Sequence, residues 1–361
     1  MPGLDLSPNE RVVFHSLVKY PNLNDRELSE RVQVKLSTVT AIKNRLKARG
    51  LFYTVRFPQL QHLGCEMLTA NWAALNSSTP PEKRLEVGRS LLTDFPEIFY
   101  LASDERLGFA LSLNKNYSAA KSNTERFFRL YSENEVLLSE GYEAAHFPFA
   151  QSRVYNTFEC AHLLASDFQI PEKDDKRVAR DAAAGPAFET VRNVELSRIE
   201  RRVYRGLIAN PDFHDSSVAK QIDVTRQTVT KVRKRFEALG LIRLLRIPNL
   251  AGMGYEVMAV LRQHYRPSQP LETRREKEEP FFARSPIIFR VAGDLEAVEV
   301  FAFHNFAEYQ KGLVSISKFN RENRFVAREP DVMSFSMHQM YTIKNHVYAG
   351  TVDRLLEGEI V

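Results

Sequence analysis

The side chains best suited to chemistry sit in two stretches 190 positions apart. Ser37, Thr40, Asn44 and Lys47 fall on one side of a helical repeat with Thr38 beside them, and Arg226, Gln227, Thr230, Lys231 and Lys234 do the same in the second stretch. Arg, Lys, Gln, Asn and Thr are the residues that hydrogen-bond base edges or grip phosphates. Arg56, Arg243 and Arg246 follow in short extended runs from which a guanidinium could reach a phosphate backbone. Other chemistry is thinly represented. Nine histidines are scattered, and the two cysteines, Cys65 and Cys160, have no metal-ligand spacing. Neither a glycine-rich phosphate loop nor a nucleophile elbow occurs. The expectation is a chain that is not an enzyme, holds no metal or cofactor, and has double-stranded DNA as its partner.

Charge supports that partner. The formal net charge is +5, yet residues 4–60 alone carry +5 and residues 194–250 carry +6, leaving −6 for the rest. Positive charge sorted into two matching blocks is the footprint of a polyanion binder. Sliding the sequence by 190 places puts Gly50 on Gly240, Pro58 on Pro248, Gly64 on Gly254 and Thr38-Val39-Thr40 on Thr228-Val229-Thr230. Ile98-Phe99 falls on Ile288-Phe289, and no gap is needed. So long a period means two equivalent modules, not a solenoid.

Each basic block reads as three helices and a strand. Ser7-Pro8-Asn9-Glu10 and Ser197-Arg198-Ile199-Glu200 have the capping-box spacing that starts a helix. Apolar residues follow at helical intervals, as Val13, Leu17 and Val18 and then Val203, Leu207 and Ile208. A short second helix is expected at 27–32 and 217–222. A third starts near Ser37 or Thr225 and stops at Gly50 or Gly240, residues suited to a left-handed cap. Its buried face would be Val39, Ile42 and Leu46, or Val229, Val232 and Phe236. With the runs 52–56 and 242–246 as wings, each block is a winged helix-turn-helix.

After each wing the predicted order is βαββαβ, a ferredoxin-like α+β sandwich. The fold class is thus α+β, with two winged helix-turn-helix domains alternating with two ferredoxin-like domains. The expected boundaries are 1–60, 61–150, a linker at 151–193, 194–250 and 251–361. The linker reading rests on the charged, then small and proline-flanked composition of residues 171–186.

This pairing of domains resembles the Lrp/AsnC family of transcriptional regulators. The residues that carry the resemblance are Leu6, Ser7, Leu17, Leu36-Ser37, Val39, Arg45-Leu46, Gly50 and Leu63-Gly64. Their counterparts are Leu196, Ser197, Leu207, Val224-Thr225, Val229, Arg235-Phe236, Gly240 and Met253-Gly254. The resemblance implies a family dimer made covalent, an intramolecular pseudo-dimer that reads two different half-sites, with larger homo-oligomers within the family's habits. It also implies an amino acid or similar small-molecule effector near the turn holding Ser103-Asp104 and Gly293-Asp294. The same turn would suit Gly-Asp for structural reasons alone.

Two rival readings stand beside this one. Siroheme decarboxylases share the Lrp-like architecture as paired or fused copies, but this chain lacks a histidine at matching positions: His15 meets Arg205 and His62 meets Gly252. A winged-helix scaffold would bind no DNA. No apolar run is long enough to span a bilayer, and the start of the chain lacks a signal sequence, so a cytoplasmic location without membrane partners is expected.

Overall fold

The computed structural model describes residues 5–91, 93–171 and 193–357. The expected linker composition at 171–186 lies almost wholly outside the described residues.

The first block forms α1 (Pro8–Lys19), α2 (Asp25–Val32) and α3 (Leu36–Ala48), then β1 (Phe52–Pro58). The second forms α7 (Arg198–Ala209), α8 (Asp215–Gln221), α9 (Arg226–Ala238) and β7 (Ile242–Pro248). Both capping boxes are made: Ser7 N–H donates to Glu10 Oε2 at 2.8 Å and Ser197 N–H to Glu200 Oε2 at 3.0 Å. Gly50 and Gly240 take φ of +64° and +70°, a region that side chains with a Cβ resist. The expected apolar faces are buried, with Val39, Leu46, Val229 and Phe236 at 0 % exposure. Each such residue contributes roughly 1.5–3 kcal/mol of burial free energy. β1 pairs with β7, where Asn249 N–H donates to Leu51 O and Gln59 N–H to Leu241 O.

The segments that follow run β2 (Met67–Leu75), α4 (Pro81–Leu91), β3 (Ile98–Ser103), β4 (Leu107–Asn114), α5 (Tyr117–Glu133) and β5 (Leu137–Pro148). The second set is β8 (Val257–His264), α10 (Leu271–Phe282), β9 (Ile287–Ala292), β10 (Glu296–Phe303), α11 (Phe306–Asn323) and β11 (Asp331–Ser336). Each sheet gains a fifth strand that the periodicity did not predict. β6 (Arg153–Thr157) completes the order β11-β8-β10-β9-β6, and β12 (Tyr341–Asn345) completes β12-β3-β4-β2-β5. β6 and the helix α6 (Ala161–Asp167) occupy part of the stretch read as linker.

The chain divides into two compact units, and each draws on both halves of the sequence. The first draws its described residues from 1–55, 154–187 and 244–338, the second from 56–153, 188–243 and 339–361. In the first unit, α6 packs on α1, with the Phe14 and Phe168 rings 6.1 Å apart. Asp167, the last residue of α6, accepts hydrogen bonds from Tyr255 Oη at 2.9 Å and His304 Nε2 at 2.8 Å. In the second unit, α12 (Ala349–Glu357) plays the part of α6. Its Asp353 pairs with Arg205 of α7 at 3.0 Å, and its Arg354 pairs with Glu97 at 2.8 Å.

The ungapped 190-residue spacing holds from the helices through α4 and then becomes 189. Leu101 pairs with Ala110 across β3 and β4 as Arg290 pairs with Glu299 across β9 and β10. The β-bulges of the two hairpins also fall at corresponding positions in this register.

One acid-sensitive group anchors the final segment of the second unit. Burial pushes the His346 imidazole down to about 3, and its ring lies 5.4 Å from that of Tyr100. The folded chain thus binds this proton only below pH 3, whereas an unfolded histidine binds it below about 6.5. Stability from this group is complete above the unfolded pKa and is lost as pH falls towards the folded one, by about 1.4 kcal/mol per pH unit. His346→Asn, which tolerates the local φ of +54°, is expected to remove that component in urea melts at pH 4 and 7.

Candidate nucleic-acid interface

The third helices of the two blocks present the same pattern of exposure. Position by position, α3 and α9 alternate identically among exposed, half-buried and buried residues. Ser37, Asn44 and Lys47 are exposed on α3, with Thr38 half-buried. On α9 the exposed residues are Arg226, Gln227, Lys231 and Lys234. Ala41 stands where Lys231 does and Asn44 where Lys234 does, so the second face carries more positive charge.

Each face is fixed by an aspartate that sequence reasoning missed. Thr40 Oγ1 donates to Asp25 Oδ2 at 2.9 Å, and Lys43 Nζ meets Asp25 Oδ1 at 2.7 Å. In the second copy Thr230 Oγ1 donates to Asp215 Oδ2 at 2.7 Å, and Arg233 Nε meets Asp215 Oδ1 at 2.8 Å. Burial pushes both carboxyls up. The hydrogen bonds from their basic and threonine partners outweigh it and hold both below the ordinary value. The recurrence of an aspartate fifteen residues before a threonine in both copies was the signal available. Thr40 and Thr230 therefore lock the second helix to the third.

Two arginines of the paired strands β1 and β7 also turn inward, against the expectation that they reach outward from wings. Arg56 donates to the carbonyls of Leu207 at 3.1 Å and Phe213 at 3.0 Å, around the C-terminus of α7. Arg246 Nη1 donates to Leu17 O at 3.0 Å, near the end of α1. A cation placed there satisfies open carbonyls and the negative end of the helix dipole. Arg243 is half-buried. Arg56→Ala and Arg246→Ala are each expected to cost about 1.5–3 kcal/mol of stability in denaturant titrations. Neither should alter the salt dependence of DNA binding.

The turn residues expected to meet an effector serve their own backbone. Asp104 Oδ1 accepts from the amides of Arg106 and Leu107, both at 2.8 Å, and Asp294 Oδ1 accepts from Leu271 N–H at 2.9 Å. Arg274 donates to the carbonyls of Gly293 at 2.8 Å and Asp294 at 2.9 Å. Ser103 is buried at the end of β3. Both cysteines are buried, and burial pushes the Cys65 thiol up to about 12, far from a reactive thiolate. No described helix is long and apolar enough to cross a membrane.

No protein-family model matches the sequence, and no curated protein matches it. Among solved structures, the siroheme decarboxylase NirDL matches with a TM-score of 0.52 at 10% identity, over 98% of this chain and 100% of that one. NirDL in complex with an iron-uroporphyrin III analogue matches with a TM-score of 0.51 at 10% identity, over 98% and 99% of the two chains. An AsnC family transcriptional regulator from Agrobacterium tumefaciens aligns at 13% identity with 39% of this chain and 90% of its own, with a TM-score of 0.32. The expectation that the chain is not an enzyme does not stand, because two structures that match 98% of its length are those of a decarboxylase. What the full-length match shows is the fold alone, a mixed α+β chain with several antiparallel sheets.

Proposed function

We propose that the chain is a cytoplasmic, sequence-specific transcriptional regulator in which two unlike winged helix-turn-helix domains read two unlike half-sites of DNA. Each is followed by a ferredoxin-like domain of a tandem Lrp/AsnC-like duplication. The observation that carries this reading is the identical exposure pattern of α3 and α9, with Arg226, Gln227, Lys231 and Lys234 outward on the second. Buried residues of the two helices agree in character while outward residues differ, as expected when the fold is shared and the target is not. The test is a binding titration on genomic fragments, including the region upstream of the chain's own gene, at two salt concentrations. Selection of one fragment, with affinity falling steeply as salt rises, supports the reading. Equal binding to all fragments, or none, rejects it.

The full-length likeness to NirDL favours a second reading, a catalyst acting on a tetrapyrrole. A shifted absorption spectrum on adding siroheme, together with loss of a carboxylate from it, is the result that reading requires.

A further inference from the structure

The two sheet domains differ in the space between sheet and helices. In the first unit that space holds a buried ionic cluster. Glu278 accepts from Arg274 Nε at 3.1 Å and Arg290 Nη2 at 2.5 Å, and Glu299 accepts from Arg290 Nε at 3.1 Å. Gln263 and Asn320 complete the network. In the register set by the strand pairings, by the N-caps Asn116 and Asn305 and by the turn bonds of Arg84 and Arg274, their counterparts in the second unit are Arg84, Gly88, Leu101, Ala110, Ala73 and Tyr131. One arginine is kept, and both carboxylates are gone.

A cavity of about 20 Å3 lies there, lined by Arg84, Ala73, Ala110, Leu101 and Tyr131 among others. Arg84 is only 7% exposed. Its Nη1 donates to the carbonyls of Asp104 and Glu105, the same turn-holding task Arg274 performs. Among the described residues, no acceptor takes its Nη2 or its Nε, the atom that donates to Glu278 from Arg274. A buried charge without its counter-charge is unstable. The Ile343 δ1 methyl sits 2.8 Å from where a Cβ at Gly88 would lie, partly filling the missing carboxylate's place. Ile343 falls where the register of β12 shifts, and the end of its side chain can swing away.

We propose that this cavity binds a small aliphatic carboxylate, one to three carbons long, which takes on Arg84 the place that Glu278 takes on Arg274. The walls are mostly apolar and suit a short alkyl group. Among the described residues no Asp or Glu lines the cavity, so no counter-charge is present for the ammonium of an amino acid. Its size admits little more than a water molecule until Ile343 moves, which excludes long chains. The proposal does not depend on DNA binding.

The test is a thermal-shift and calorimetric titration of the full chain with sodium acetate and sodium propionate, against sodium chloride at matched ionic strength and pH. Saturable one-site stabilisation by propionate, absent with propionamide and alanine, is expected. Ala110→Val, which fills the space without charge, should weaken binding at least about tenfold without lowering the melting temperature. Gly88→Glu supplies the missing carboxylate internally and should abolish binding. Absence of saturable binding to the native chain, equal binding of the amide, or binding unchanged in a folded Ala110→Val variant would overturn the proposal.

Discussion

Replacing Lys231 and Lys234 together by alanine is expected to weaken DNA binding by roughly 10- to 100-fold near physiological salt and to reduce the slope of log K against log salt by about 2. Both lysines are exposed, on the face of α9 whose exposure matches that of α3, and neither contributes to the apolar side where Val229, Val232 and Phe236 are buried. Folding should therefore be unaffected, which separates lost contacts from lost structure. Asn44→Ala removes an uncharged group from the matching place on α3. It should cost about 1 kcal/mol and leave the salt slope unchanged. Equal losses from the two variants would contradict the unequal roles of the two faces, as would a double-lysine variant with an unchanged slope.

The largest effect on stability is expected from Glu278→Ala, at about 3–5 kcal/mol. Glu278 is 0% exposed and lies between Arg274 and Arg290, which are 0% and 1% exposed. Removing it leaves two guanidiniums in the interior with Glu299 as the one remaining carboxylate of the cluster. Burial pushes that carboxyl up to about 6, so Glu299 compensates poorly in mildly acid solution. Aromatic faces relieve part of the penalty, since the guanidinium of Arg274 stacks 3.4 Å from the Tyr265 ring centroid and Arg290 lies 4.5 Å from that of Tyr155. Denaturant titration of the native chain and the variant measures the difference. A loss under about 1 kcal/mol would mean that the cluster is hydrated and not the dry network described.

How much could be read in advance depended on whether the governing interaction was local. The capping boxes at Ser7 and Ser197, the left-handed glycines at 50 and 240, and the buried faces of the third helices all follow from neighbours within one or two turns. They were legible for that reason. The fifth strands were not. Tyr341–Asn345 pairs with Ile98–Ser103, more than two hundred positions earlier, and its own alternation is weak because it is largely exposed. Burial of charge was not legible either. The segment from Leu271 to Ala283 is rich in charge, yet Arg274 and Glu278 face inward, and Glu278 is satisfied by Arg274 on its own helix and by Arg290 on a strand. Of the candidate site, the outward residues Ser37, Asn44, Lys47, Arg226, Gln227, Lys231 and Lys234 were legible from helical periodicity. Thr40, Thr230, Arg56 and Arg246 were not, because their hydrogen-bond partners lie on other elements. The one-residue change of offset was hidden for another reason: Ile98-Phe99 and Ile288-Phe289 match by type in the wrong register.

Hydroxyl-radical footprinting on the fragment chosen by the native chain resolves the two half-sites separately. Two protected stretches of unlike sequence are predicted, of which the Lys231→Ala/Lys234→Ala variant loses one and keeps the other. Protection that spreads evenly along the fragment, or vanishes from both stretches at once, would contradict two winged helices reading two separate half-sites.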